Sequence, residues 1–473
     1  MDPIPDIAAA RVLGEALRRV GYTEDAIGEL LEDDEVENPV VADRRLPRTP
    51  LGIAVRLFFL QLPVSRRAAV RALGRKAVDA YAAIGLAEVA GDVAPLARII
   101  PVDSLLVASD DFPRDGDEQS ASYVSAYSPT SRLCDCLTPR PHVNRALDIG
   151  TGSGVQALLA ARHARHVIAT DVNERALAYT EINAGLSGLT NVECRRGSLF
   201  EPVADERFDL ITSNAPYVIS PENRWIYRDA GFEGDELSER IVREAAEHLV
   251  EGGYATLLVS WIAVDEDDPD ERPLAWTEST DCDAWVLPIW DADALTHAAT
   301  WNDYLVDEPA KLRRALDTWT DYLRRLGARH VSEGAIVLHR RNARRHVYRV
   351  DPIDEDDLDE ASEQIQRAFA ARARLAELRR ATDLLRAKVS VAAPLRLERE
   401  IRPRRRSHPS VSGWIELDEG THSIVEGPLE ALELIACADG TRSLGEIAKA
   451  PRLRRAVLSV ARELLELGAL SLS

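Results

Sequence analysis

No stretch of this chain is long and apolar enough to cross a bilayer as a helix. The most apolar patch near the start, residues 57–62 (LFFLQL), falls far short of the roughly 20 apolar residues a spanning helix needs. The start is acidic and lacks a basic, apolar leader, so a cytoplasmic protein with no membrane partner is expected. Cysteine is sparse. Among Cys134, Cys136, Cys194, Cys282 and Cys437 only the first two are close, and no CxxC pair or histidine cluster has zinc spacing, so no metal is expected. Lysine is nearly absent, at Lys76, Lys311, Lys388 and Lys449, and arginine supplies the other cations, a bias that fits a GC-rich genome better than a function. Positive charge is short overall. The formal net charge of −21 argues against a protein that holds nucleic acid by bulk electrostatics, although a local basic patch stays open.

What is present centres on residues 146–158 (ALDIGTGSGVQAL), an apolar run that breaks at Gly150, Gly152 and Gly154 and resumes with helical spacing. It reads as strand, glycine-rich loop and helix, with Asp148 just ahead of the loop and Thr151 inside it. Missing Cβ atoms at every second position let the backbone turn sharply and approach a ligand. A second apolar run, 167–171 (VIATD), ends at Asp171, followed by Val172. In a doubly wound sheet an acidic residue about 20 positions beyond the glycines accepts hydrogen bonds from ribose hydroxyls. Two more blocks follow at strand spacing, 191–200 (NVECRRGSLF) and 208–217 (FDLITSNAPY).

The order DIGTGSG, TDVN, GSLF, SNAPY resembles class I S-adenosylmethionine-dependent methyltransferases. More narrowly it resembles their Asn-Pro-Pro-Tyr subgroup, which includes release-factor glutamine N5-methyltransferases and related RNA and DNA amino-methyltransferases. The resemblance implies an α/β fold with a Rossmann-like, mostly parallel, seven-stranded sheet. It implies S-adenosyl-L-methionine as cofactor, with Asp148, Gly150, Thr151, Gly152, Gly154, Asp171, Val172, Ser198, Leu199 and Asn214 as candidate binding residues. Ser198 stands where many relatives carry Asp, so a side-chain contact to the adenine amine is weakened or passes to backbone groups, and Leu199 would wall the ring. Related enzymes close a segment over the methionine end of the cofactor just before the first strand, which makes Ser128, Thr130 and Arg132 candidates for that task.

The candidate catalytic residues are Asn214, Ala215, Pro216 and Tyr217. A planar NH2 group delocalises its lone pair and is a poor nucleophile. An asparagine side-chain oxygen and the next backbone carbonyl can each accept one of its N–H bonds, turning the nitrogen toward a methyl donor and spreading the positive charge that develops. Tyr217 can stack on the planar group. Ala215 replaces the first proline of the signature, keeping the carbonyl but losing the ring, and Pro216 still holds the residue before it out of the helical region. The favoured acceptor is a glutamine side chain in a protein partner. Three other readings stay open: an exocyclic base amine of RNA or DNA, a small metabolite, and a cofactor-binding regulator without catalysis. The oligomeric state is not legible.

At 473 residues and 45% hydrophobic content the chain is too long for one ordinary domain, and two or three are expected. Residues 1–110 read as helices followed by a hairpin around Gly91-Asp92, a winged-helix-like arrangement. Arg66, Arg67, Arg71, Arg75 and Lys76 form a basic cluster there, for which a solvated helix face is the commoner reading. Residues 110–119 are polar, with Pro and Gly, and read as a boundary. Residues 120–345 are the catalytic domain, in which an amphipathic helix grows out of 227–249, 252–259 is a buried strand and 330–341 suits the last strand of the sheet. The acidic loop 265–271 is flanked by Trp261, Trp276, Trp285, Trp290 and Trp301, for which core packing is the favoured reading. Residues 351–473 read as a charged helical segment, a basic linker at 402–406 and a second small winged-helix-like domain with helices over 443–449 and 452–467.

Overall fold

Helical spacing in the first part of the chain becomes a set of short helices in the computed structural model, which describes residues 2–31, 39–110, 122–222, 231–378, 380–402 and 410–472. Three of them matter below: α1 (Ile7–Arg19), α2 (Arg66–Leu73) and α3 (Arg75–Ala83). The expected hairpin forms from Ala87–Val89 and Asp92–Pro95, antiparallel, and Val64–Ser65 adds a third strand. A second hairpin, Arg98–Val102 with Leu105–Ser109, follows. Most of the 110–119 boundary lies outside the described residues, as do 403–406 of the basic linker and the opening of 227–249.

The central element is a sheet of eight strands. Its first four are β1 (Val143–Ile149), β2 (Ala164–Asp171), β3 (Val192–Arg196) and β4 (Phe208–Ser213). Ala146, Leu147, Ile149, Val167, Ile168, Ala169, Leu210 and Ile211 are all buried. Continuous apolar runs of this kind suit parallel strands covered on both faces. β1 pairs in parallel with β2 on one side and β4 on the other, and β2 pairs in parallel with β3. The crossovers are α4 (Val155–Ala161) between β1 and β2, and α5 (Glu174–Ser187) between β2 and β3. The chain order therefore reverses between β1 and β4, which opens a crevice at their carboxyl ends.

The sheet continues with β5 (Leu249–Ala263), β6 (Cys282–Asp293), β7 (His330–Arg340) and β8 (Tyr348–Val350). β7 is antiparallel to both β5 and β6, while β8 runs parallel to β6. The count is eight rather than seven because the short β8 adds an edge after the strand expected to be last. Arg341 holds the turn that leads to it, donating twice to the buried Asp283 at 2.8 and 2.9 Å while the Val347 amide donates to the same carboxylate.

The chain divides into two compact units. The first comprises Met1–Arg132, His142–Glu244 and Arg313–Leu326; the second comprises Leu133–Pro141, Ala245–Leu312 and Gly327–Ser473. In the first, α1 packs directly on α5, where Gly14 faces the Leu186 carbonyl and Gly185 faces Ala10. In the second, Ser362–Glu377 is the expected charged helix, but 388–402 is not helical. It forms strands Lys388–Val391 and Leu395–Arg402, the latter paired with Ser410–Leu417 and that in turn with Ile424–Gly427. Half-buried Leu395 and Leu397 alternate there with exposed Arg396 and Glu398, the period of a strand. Helices Leu444–Ile447 and Pro451–Glu466 lie near the expected positions, and Trp261, Trp276 and Trp285 are core residues. Among the described residues no helix is long and apolar enough to cross a membrane.

Candidate functional site

The register of the sheet brings the sequence motifs together. Ile149 pairs with Ser213, so the glycine loop leaving β1 and the Asn-Ala-Pro-Tyr segment leaving β4 start side by side. They touch: a Cβ on Gly150 would come within 3.0 Å of the Ala215 Cβ. Ala215 is buried against that glycine, and the two residues after it are half-buried. The Ser213 hydroxyl donates to the Ile149 carbonyl at 3.4 Å and accepts from the Ala215 amide, a second tie between the strand ends.

Asp148 is committed to the interior. Its carboxylate accepts from Thr151 Oγ1 at 2.7 Å, Thr212 Oγ1 at 2.9 Å and the Ala157 amide at 3.2 Å. Burial outweighs these bonds and pushes its carboxyl up to about 6. Thr151 and Ala157 lie at the two ends of the loop-to-helix passage, so this side chain fixes the loop and has no oxygen aimed at open space through these bonds.

Asp171 is placed differently. It is half-buried at the end of β2, where one oxygen accepts from the Gly152 amide at 3.0 Å and the other from the Asn173 amide at 2.8 Å. Burial raises its carboxyl above the usual range. Gly152 has φ +55, and nothing lies within 4 Å of where its Cβ would be. Open space over the Gly152 backbone next to a carboxylate suits the sugar of a nucleoside, so these residues fit S-adenosylmethionine. Val172, 49% exposed, borders the same carboxylate. Across β2 and β3, Leu199 adopts φ +49, a left-handed conformation unusual for a branched side chain, with its carbonyl 3.4 Å from Thr170 Oγ1. Ser198 beside it is half-buried.

Asn214 is half-buried, and its side-chain nitrogen donates to Thr130 Oγ1 at 3.3 Å. Thr130 Oγ1 lies 3.0 Å from Ser128 Oγ, which is 3.1 Å from Ser131 Oγ and accepts the Ser131 amide. The hydroxyl cluster therefore ties Ser128 and Thr130 to the Asn214 amide. Arg132 enters none of these bonds.

Three supporting residues escaped the sequence reading. Gln156 is 5% exposed and donates to the Ser131 carbonyl at 2.8 Å, which anchors the hydroxyl cluster to α4. Asn183, fully buried on α5, donates to the carbonyls of Ala108 and Ser153 and accepts the Ala108 amide, tying the glycine loop to the second N-terminal hairpin. Asp110 accepts from Tyr179 Oη at 2.8 Å and the Val124 amide at 2.8 Å, and pairs with Arg175. A polar side chain on the apolar face of a helical pattern was the available signal for Gln156 and Asn183.

Residues 128–262 match the family described as methyltransferase small domain. Over this stretch the chain is similar to methyltransferase domains. Residues 19–98 match a separate family described only as a domain of unknown function. The ribosomal protein uL3 glutamine methyltransferase of Bradyrhizobium diazoefficiens is 39% identical over 169 residues, 32% of this chain and 52% of that protein. The release factor glutamine methyltransferase of Geobacter sulfurreducens is 37% identical over 133 residues, covering 25% of this chain and 46% of its own length. That of Xylella fastidiosa (strain Temecula1) is 34% identical over 179 residues, 35% of this chain and 65% of the relative. The chain thus spans about half to two thirds of the length of these curated relatives.

Proposed function

We propose that this methyltransferase domain moves a methyl group from S-adenosylmethionine to the side-chain nitrogen of a glutamine in a protein partner. The observation that carries this reading is the fixed orientation of Asn214. With its nitrogen donating to Thr130, the side-chain oxygen faces the other way and makes no hydrogen bond within the described residues. An acceptor held at the carboxyl end of β4, beside the glycine loop, is what a planar NH2 group needs to be turned and held. The Asn214 backbone carbonyl is the candidate second acceptor and Tyr217 the candidate stacking surface.

When bound, S-adenosylmethionine supplies an electrophilic methyl group on a sulfonium. Asp171 would hold its ribose, Gly150, Gly152 and Gly154 would give its backbone-lined bed, and Val172, Ser198 and Leu199 would flank its base. Asp148 and Thr151 keep that bed in shape. The relatives named above act on glutamine in a ribosomal protein or release factor, which supports a protein acceptor over a metabolite.

The reading is tested by incubating the full chain and labelled S-adenosylmethionine with extract from cells lacking the protein, then treating with protease or nuclease. Label released by protease and recovered as N5-methylglutamine is expected. Nuclease-sensitive label would transfer the reading to a base amine, label in the small-molecule fraction to a metabolite, and no label at all to a regulator.

A further inference from the structure

Residues 44–76 contain nine cations and no carboxylate, in a chain whose acids exceed its bases by 21. Arg56 is spent internally, on Asp43 and on the carbonyls of Asp43, Leu46 and Pro47. Arg44, Arg48, Arg66, Arg67, Arg71, Arg75 and Lys76 are exposed. Arg66 lies 3.7 Å from Asp79, which seats the start of α2 beside α3.

The placement of these charges works against the fold. Arg66 and Arg67 open α2, Arg75 and Lys76 open α3, and neither helix has an acidic residue in its first turn. Cations at a helix N-terminus oppose the macrodipole, and Arg67 and Arg71 are like charges four positions apart on one helical face. Each arrangement is unfavourable when no anion is near. Elsewhere in the first unit half-buried Arg195 lies against Glu193 and Glu206, and exposed Arg196 against Glu174.

We propose that the face formed by α2 and the first turn of α3 binds the sugar–phosphate backbone of a nucleic acid. Arginine dominates the run, and its guanidinium fork matches phosphate oxygens in pairs. Between the cations of α2 stand small or aliphatic residues, among them Ala68, Val70 and Ala72, and α2 carries no aromatic group to stack a base. The surface therefore grips backbone and does not read sequence. A stable interface with a folded protein also needs buried anchors, most often aromatic, and α2 supplies no aromatic one. The binding is independent of the methyl-transfer chemistry proposed above.

The test is fluorescence anisotropy of the full chain with a labelled 20-nucleotide RNA hairpin and a DNA duplex of equal length, between 50 and 200 mM salt. Wild type is expected to bind one or both. The triple variant Arg67→Gln, Arg71→Gln, Arg75→Gln should bind at least about tenfold more weakly at 50 mM, with the slope of log K against log salt reduced by about 2–3. Arg313→Gln with Arg314→Gln, an exposed pair on another helix of the same unit, should bind as wild type. The triple variant should melt no lower than wild type, since it removes unfavourable charges. Failure of wild type to bind either nucleic acid at 50 mM overturns the proposal, as does unchanged binding by the triple variant. Competition by polyglutamate as strong as by RNA of equal charge also overturns it, in favour of an acidic protein.

Discussion

The side-chain nitrogen of Asn214 donates to Thr130 Oγ1 at 3.3 Å, across 84 residues of chain. Removing that acceptor frees the amide to rotate and present its nitrogen where its oxygen should be. Thr130→Ala should lower kcat by about tenfold with little change in cofactor affinity, and Thr130→Ser, which restores a hydroxyl, should recover most of it. Single-turnover rates on the identified acceptor check this. A Thr130→Ser variant as slow as Thr130→Ala would show that the methyl group, not the hydrogen bond, was needed.

Asp171 tests the cofactor bed. Asp171→Ala should weaken S-adenosylmethionine binding by about 1.5–3 kcal/mol, the usual worth of hydrogen bonds to a charged group. Part of that loss comes through Gly152, whose amide it accepts at 3.0 Å. Titration calorimetry measures it, and unchanged affinity would remove Asp171 from the site.

Asp148 makes a prediction about pH. Its carboxyl is pushed up to about 6 in the fold, from an ordinary value of 3.8, so the folded protein holds this proton more tightly than the unfolded chain does. The stabilisation that follows is fully present below about pH 4 and is lost as pH rises through 6. At neutral pH the buried charge is therefore a cost, on the order of 3 kcal/mol. Asp148→Asn removes it. The stability of that variant relative to wild type should be higher at pH 7.5 than at pH 4.5 by on the order of 2–3 kcal/mol, measured by urea denaturation; a difference independent of pH would contradict the assignment.

Gly14 makes a prediction about packing. In an open helix Gly→Ala stabilises by up to about 1 kcal/mol. Here the added Cβ would lie 2.0 Å from the Leu186 carbonyl oxygen, so α1 must move off α5. Gly14→Ala should destabilise by roughly 1–3 kcal/mol, seen as a lower melting temperature by circular dichroism. An unchanged or higher value would mean that α1 is not seated on α5 as described.

The sequence showed most of the parallel half of the sheet because buried parallel strands leave nearly continuous apolar runs, and 146–149, interrupted only by Asp148, and 167–169 are such runs. Gly152 and Asp171 were legible for a related reason: a strand-end turn and a strand-end carboxylate have fixed spacing in a crossover fold. The bond between Thr130 and Asn214 was not legible, since nothing local in either stretch reports a partner 84 residues away. Gln156 and Asn183 were missed because a lone amide in a helical pattern looks like an ordinary polar residue until its neighbours are known. The strand at Leu395–Arg402 was hidden by its charges, which mask the alternation of Leu395 and Leu397 with Arg396 and Glu398.

The central claim, that Asn214 orients the reacting nitrogen, is tested most directly by single-turnover methyl transfer with Asn214→Ala at saturating S-adenosylmethionine. Loss of one acceptor that strengthens in the transition state should slow transfer by roughly 10²–10³-fold while cofactor affinity hardly moves. Asn214→Asp, which keeps the size and an acceptor oxygen, should retain part of the rate. Transfer by both variants at the wild-type rate would contradict the account.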